Sequence, residues 1–180
     1  LTHRYDDRNL FEHANLTVSA GEHIGVVGLN GAGKTTFVNI IAGKLVQDDG
    51  LILRQKNLRF GYLDQHADID RSETVMEYLR HAFDYLYEVN EKLEQIYADM
   101  ASCSSDDEMM KLIEKSSKYQ DMLNDSGFYD IDSTVKRVAG GLGVNNFGYD
   151  SLIKNLSGGE RAKIMLSKLL LEEPDVMLLD

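Results

Sequence analysis

Gly28-Leu29-Asn30-Gly31-Ala32-Gly33-Lys34-Thr35, followed by Thr36, is the stretch whose reading decides the fold. It fits the pattern G-x-x-x-x-G-K-[ST] of a phosphate-binding loop. The apolar run ahead of it, Ile24-Gly25-Val26-Val27, reads as a buried strand, and Phe37-Val38-Asn39-Ile40-Ile41-Ala42 behind it reads as a helix. Strand, glycine-rich loop and helix form the context in which the motif carries meaning. Triphosphate oxygens need several donors converging on a small volume, and glycines let backbone N–H groups approach without a Cβ in the way. The helix that starts there adds unpaired N–H groups and the positive end of its dipole. Lys34 is a point charge for the β- and γ-phosphates, and the Thr35 hydroxyl is a ligand for Mg²⁺. The candidate nucleotide-binding residues are Gly28, Asn30, Gly31, Ala32, Gly33, Lys34, Thr35 and Thr36. The bland alternative is a glycine-rich turn with no ligand, and the flanking pattern weighs against it.

The 180 residues suffice for one ordinary domain, or a domain with a projection, able to bury a real core. The hydrophobic share of 43% is that of a globular chain. No run approaches 18 apolar residues, so no transmembrane helix is expected. The opening Leu1-Thr2-His3-Arg4-Tyr5 reads as no signal peptide and lacks Met, so a trimmed native start is expected. A single cysteine, Cys103, excludes an internal disulfide and fits a reducing cytosol. It lies in Ser102-Cys103-Ser104-Ser105, a loop-tip sequence that suits no catalytic thiol. The net charge of −11 argues against nonspecific nucleic-acid binding, which needs a basic surface.

Working outward from the loop, residues 1 to 5 and about 14 to 19 alternate as strands do, with Asp6-Asp7-Arg8-Asn9 as a polar turn between them. Tyr5 is a candidate platform for an adenine ring, or an ordinary strand tyrosine. Gly43 ends the first helix and Asp48-Asp49-Gly50 makes a turn. Strands follow near Leu51 to Leu53 and Leu58 to Leu63, the second running into Gln65, which could reach a metal ion or a water.

At Ser72 the pattern changes to helical. Ser72 is placed to cap a helix whose seam is Val75, Leu79, Ala82, Leu86, Val89, Leu93, Ile96 and Met100, at alternating spacings of four and three. From Glu73 to Met100 such a helix is about 42 Å long. Ser105 and Glu108 make a capping box for a second helix, with the weaker seam Met109, Leu112, Ile113, Tyr119 and Leu123, ending at Asn124-Asp125-Ser126-Gly127. An antiparallel helical hairpin projecting from the domain is expected. It is acidic: thirteen Asp or Glu against five Lys or Arg between Glu73 and Asp125. A solvated pair packed on itself is one reading; a contact arm is the sharper one.

Ile131 to Leu142 reads as a further helix ended by Gly143. In Leu156-Ser157-Gly158-Gly159-Glu160-Arg161, Ser157 and Glu160 make another capping box, and Ala162, Met165, Leu166, Leu169 and Leu170 follow at helical spacing. Two glycines in a first turn weaken a helix. Close approach of an anion to the helix start explains them. After Pro174 the run Asp175-Val176-Met177-Leu178-Leu179 is an apolar strand ending in Asp180, a carboxylate suited to hold Mg²⁺ beside the phosphate loop.

With these pieces in place, the chain resembles the ATP-binding-cassette ATPases through Tyr5, the loop at Gly28 to Thr36, Gln65, Leu-Ser-Gly-Gly-Glu at 156 to 160, and Leu178-Leu179-Asp180. The fold class this implies is α/β: a P-loop NTPase cassette core with an antiparallel β subdomain and an inserted α-helical hairpin. The resemblance implies that Tyr5 stacks on adenine and that ATP and Mg²⁺ are bound, with Thr35, Gln65 and Asp180 at the metal. It also implies that Ser157, Gly158, Gly159 and Glu160 act in trans, closing on the γ-phosphate held by a second cassette. Within the superfamily the chain is similar to ABC-F proteins, and to the first of their two cassettes. Gln65 and Ser157 are 157 − 65 = 92 positions apart, and the surplus matches the arm of that group. Gly61-Tyr62-Leu63-Asp64-Gln65 and Gly140-Gly141-Leu142-Gly143-Val144 resemble its wording, as does Glu160 where many transporters carry Gln. Expected domains are 1–71, an ATP-binding core; 72–127, the arm; and 128–180, a helical subdomain with the signature and the return to the metal-binding strand.

The resemblance implies a cytoplasmic ATPase acting on the ribosome, in translation or antibiotic resistance, without membrane insertion. It puts a catalytic Glu, a D-loop and a switch His beyond Asp180, together with the interdomain linker and the second cassette. The 180 residues are therefore expected to bind nucleotide and to hydrolyse it poorly or not at all. Asp106, Asp107 and Glu108 stand at the arm tip where RNA would favour Lys or Arg, so the arm is expected to meet protein, or other surfaces make the RNA contacts. The alternatives are the nucleotide-binding subunit of a membrane transporter, and an interaction module for which nucleotide is only a stabiliser.

Overall fold

The computed structural model describes residues 1–5, 8–63 and 69–180. Two compact units divide the chain: Leu1–His66 with Pro174–Asp180, and Ala67–Glu173.

The first unit holds two small sheets. β1 (His3–Tyr5) and β2 (Arg8–Phe11) are antiparallel, with His3 opposite Phe11 and Tyr5 opposite Arg8. Arg8 and Asn9, expected in a turn, thus belong to a strand, and the Asp6-Asp7 part of that turn lies outside the described residues. β3 (Phe60–Leu63) and β4 (Val176–Leu179) run parallel in the register Phe60–Val176 to Leu63–Leu179. The start of this ladder is clamped. Arg59 N–H donates to Asp175 Oδ2 at 2.8 Å, and Asp175 and Val176 N–H both donate to Arg59 O. Between the sheets in sequence lies α1 (Lys34–Ala42), with Val38 and Ile40 buried. Its C-terminal carbonyls are satisfied by the N–H of Gly43, in the left-handed conformation at φ 80°, and by the Arg54 guanidinium on Ile41 O.

The expected strands at 14–19, 24–27 and 51–53 are not formed. A strand exists through the ladder it joins, because its N–H and C=O groups need partners. Apart from Ala14, which exchanges backbone bonds with Leu1, these segments form no ladder among the described residues, and most of their apolar side chains stay open: Val27 is 93% and Leu53 90% exposed.

The second unit is helical: α2 (Val75–Arg80), α3 (Asp84–Ser102), α4 (Asp106–Asp125), α5 (Ile131–Gly141) and α6 (Gly158–Leu171). The seam from Val75 to Ile96 is buried at every position, as its spacing implies. The single long helix is not. A 3-10 turn, His81–Phe83, breaks it between α2 and α3. The packing partner changes there: α2 lies on α5 and α6, while α3 runs along α4. Leu79, Leu86, Leu123, Val135, Val144, Ile153 and Ile164 are fully buried in one cluster.

The caps also differ in part from expectation. Thr74, not Ser72, caps α2, in a box with Glu77. Ser72 N–H and Oγ instead bond Asp70 Oδ1 at 2.8 and 2.6 Å. Three residues after Ser72 stands buried Val75, which offers no returning acceptor; three after Thr74 stands Glu77. Ser105 occupies the N-cap of α4 but makes no side-chain cap bond, and Asp106, Asp107 and Glu108 complement the helix dipole there instead.

Candidate functional site

The loop ahead of α1 is built to bring backbone close to an anion. Gly31 and Gly33 have φ of 75° and 91°, a region open to glycine. A Cβ on Gly33 would also lie 3.2 Å from Leu10 Cβ on β2, so this position has both a conformational and a steric reason to be glycine. Gly33 is the N-cap of α1 and offers no side chain to the first-turn amides, and that turn carries no acidic residue. An incoming phosphate would therefore meet donors and the positive end of the helix with no carboxylate from the turn itself.

Lys34 folds back on the loop. Its Nζ donates to Gly28 O and Leu29 O, both at 3.0 Å. A phosphate entering the cradle would exchange these carbonyl acceptors for its own oxygens. An open cavity of about 550 Å³ lies elsewhere, lined by Thr2, Arg4, Glu12, His13, Asp48 and Asp49. It includes no residue of the phosphate loop.

Thr35 Oγ1 donates to Asp180 Oδ1 at 3.0 Å across 145 positions of sequence. Asp180 is delivered by β4, which it follows directly, and Thr35 by the first turn of α1. A hydroxyl and a carboxylate side by side are hard oxygen donors, the chemistry that suits Mg²⁺. Gln65, the third expected metal residue, lies outside the described residues.

Tyr5 ends β1 with 63% of its surface exposed. Its ring meets His3 edge-on, with centroids 6.2 Å apart at 86°. His3 is buried against Phe11, and Phe11 packs edge-on to Phe37 of α1. An aromatic row thus ties the exposed tyrosine to the helix that carries Lys34.

In the second unit Ser157 caps α6 as its spacing to Glu160 implies. Ser157 N–H and Oγ both bond Glu160 Oε2 at 2.7 Å, and Glu160 N–H returns to Ser157 Oγ at 3.3 Å. The Ser157 hydroxyl and then its backbone N–H hold the Glu160 carboxyl below its ordinary range. Gly158 and Gly159 are exposed, and a Cβ at either would meet nothing within 4 Å. No packing among the described residues demands these glycines. The same box at Thr74–Glu77 has bonds of 2.7, 2.7 and 3.2 Å, but Val75 and Met76 follow it and are buried. One cap is closed over by core and the other is bare.

Sequence reasoning missed Arg54, which closes the C-terminal end of α1 and stacks 4.7 Å over the Phe60 ring. A lone arginine in a polar stretch gives no periodic signal. It also missed His81, whose two ring nitrogens both face carboxylates.

Residues 11–180 match the family model described as ABC transporter. The chain is 43% identical over all 180 residues to an uncharacterized ABC transporter ATP-binding protein, YfmM, of Bacillus subtilis, covering 35% of that protein. It is 32% identical over 173 residues, 96% of the chain, to the energy-dependent translational throttle protein EttA of Escherichia coli K12, covering 30% of it. It is 33% identical over 165 residues, 91% of the chain, to ABC transporter F family member 5 of Arabidopsis thaliana, covering 24% of it. The chain thus spans about a third or less of the length of these relatives.

Proposed function

The chain belongs to the ATP-binding-cassette family, on its ABC-F branch, and from that premise we propose that it is the Mg-ATP-binding cassette of a soluble, cytoplasmic protein whose nucleotide-driven closing acts on the ribosome. The single observation that carries the nucleotide part is the 3.0 Å bond from Thr35 Oγ1 to Asp180 Oδ1. It joins the loop hydroxyl to the strand-end carboxylate, beside the lysine that the triphosphate would engage.

The roles follow residue by residue. The amides of Gly31 to Thr36 and the Lys34 ammonium take the phosphates, and Tyr5 takes the adenine face. Thr35, Gln65 and Asp180 would hold Mg²⁺, which when bound neutralises charge on the phosphate oxygens. Ser157 and the bare amides at Gly158 and Gly159 offer donors to a γ-phosphate held by a second cassette, whose own signature would serve this one. Hydrolysis is phosphoryl transfer to water, and positioning supplies most of its rate.

The ribosomal partner is supported by the name of one relative, a translational throttle protein. It is also supported by the α3–α4 hairpin, which carries Asp106, Asp107 and Glu108 at its turn and therefore suits a basic protein surface. Domain limits at 1–71, 72–127 and 128–180 belong to the same proposal.

The test is ribosome co-sedimentation of the intact protein with and without a non-hydrolysable ATP analogue, before and after excision of residues 97–115. No residue in that span is buried, so the excision spares the core. Nucleotide-dependent co-sedimentation that is lost on excision, with analogue binding unchanged, is the expected result. Analogue binding without any ribosome association overturns the ribosomal part. Failure of the analogue to bind overturns the whole.

A further inference from the structure

His81 opens the 3-10 turn between α2 and α3, at the base of the hairpin. Its Nδ1 lies 3.0 Å from Asp84 Oδ2, on the first residue of α3. Its Nε2 lies 3.2 Å from Glu73 Oε1, ahead of α2. A neutral imidazole has one N–H and one lone pair, and only the imidazolium donates from both nitrogens. The two contacts coexist only with the extra proton, since a neutral ring sets a lone pair against one carboxylate.

We propose that His81 is a proton-operated tie at the base of the arm: charged, it joins the segment ahead of α2 to the first turn of α3; neutral, it releases one carboxylate and the base loosens.

What the tie connects gives it consequence. The Glu73 carbonyl accepts from Ile153 N–H at 3.0 Å, Arg71 O accepts from Lys154 N–H, and Val75 N–H donates to Ser151 O. The segment ahead of α2 is therefore stitched to the stretch that leads into Ser157 and α6. On the other side, α3 has α4 as its main packing partner. A 3-10 break within a helical run often marks a hinge, and here the break falls where the packing partner changes.

Charged groups on the surrounding elements leave His81 to its two carboxylates. On α2, Arg80 is held by Asp132 of α5 through bonds of 2.8 and 2.6 Å, and Glu77, within the Thr74 box, adds negative field. On α6, Lys168 pairs with Glu172 at 3.5 Å and sits over the Tyr78 ring. Burial pushes the His81 value down, but the hydrogen bonds to Asp84 and Glu73 outweigh it and hold the ring above the ordinary 6.5. A raised value fixes the sign: the tie is fully present below 6.5 and is lost as pH rises through the higher folded value.

The experiment is an NMR titration of the His81 imidazole in the 180-residue chain between about pH 5.5 and 9, the range in which histidines switch. Hydrogen exchange over residues 81–86, corrected for intrinsic rate, is measured alongside. The expected result is a midpoint above 6.5 and a loss of protection of about two- to fivefold on the alkaline side, the size of a part-exposed ion pair. His81→Gln should hold the low protection at every pH, His81→Arg the high one, and Glu73→Gln should lower the midpoint. A midpoint at or below 6.5 in the wild-type chain overturns the proposal, as does a pH step that survives in His81→Gln.

Discussion

The two matched capping boxes allow structural and chemical roles to be separated by one kind of change. Thr74→Ala and Ser157→Ala each delete the hydroxyl that accepts the N3 amide, at 3.2 Å from Glu77 N–H and 3.3 Å from Glu160 N–H, and that donates to the N3 carboxylate at 2.7 Å. Loss of such a cap costs about 1 kcal/mol. In a chain of this size that lowers Tm by roughly 2–4 °C, equally for both variants because the geometries match. Neither residue touches the phosphate loop of its own cassette in the proposed mechanism, so ATP affinity of the chain should be unchanged in both. Turnover should part them. Removing a donor aimed at developing charge costs about 100-fold or more in kcat. Ser157→Ala should therefore lose turnover by at least that factor when the cassette is paired with its second, and Thr74→Ala should keep it. Thermal unfolding, titration with a fluorescent ATP analogue and steady-state phosphate release are the three assays. Equal turnover in the two variants would refute the signature role, and an unchanged Tm in Ser157→Ala would refute the capping argument.

Other changes test the remaining parts. Lys34→Ala removes a charge-assisted contact to phosphate worth about 1.5–3 kcal/mol, so ATP analogue affinity should fall roughly 10- to 150-fold while Tm stays within a few degrees. Leu86→Ala, at a fully buried position, should cost about 2–5 kcal/mol in a urea unfolding curve, whereas Leu53→Ala, 90% exposed, should stay within about 0.5 kcal/mol. Burial and then the charges of Glu172 and Glu73 push the Tyr78 phenol up to about 12. The folded chain keeps a proton that the unfolded chain loses above pH 10, so stability should decline from pH 10 toward 12. Absorbance at the phenolate band should show Tyr78 among the tyrosines that titrate late.

The local geometry of the candidate site was legible in the sequence wherever it depends on neighbouring residues. The phosphate loop, the Ser157–Glu160 box and the aspartate ending an apolar strand each sit within a few residues, and the structure shows the loop turning into α1, the box closed and β4 delivering Asp180. The seam from Val75 to Ile96 was legible for the same reason, since helical spacing alone decides which side chains can share a face. What escaped depends on partners distant in sequence. The break at His81–Phe83 is set by where α2 leaves α5 and α6 and α3 takes up α4, which no window of the sequence contains. The runs at 14–19, 24–27 and 51–53 have strand composition, but composition does not supply a ladder. Ser72 loses its capping place to Thr74 for a local reason, since a box needs its acid three residues on.

α6 begins at Gly158 in the bare cap and buries Ile164 and Leu171 in the cluster that also holds Val75, Leu79 and Phe83. Packed interiors shift as units, because a gap of even a fraction of an ångström forfeits dispersion along a whole face. If a γ-phosphate draws the Ser157 end of α6 toward it, α2 and the 3-10 turn are the elements in its path. They can follow as one body with α6, or the strain can be taken up at the turn. Which occurs depends on whether the turn is tied. With His81 charged, Glu73 and Asp84 are bound to one ring and the hairpin base moves with α6. With His81 neutral, one of those bonds is gone and part of the movement is absorbed before it reaches α3. Nucleotide-dependent motion of the arm should then be larger at pH 6 than at pH 8.5. A label on Cys103, the chain's single cysteine, lies at the far end of α3 and can report the difference.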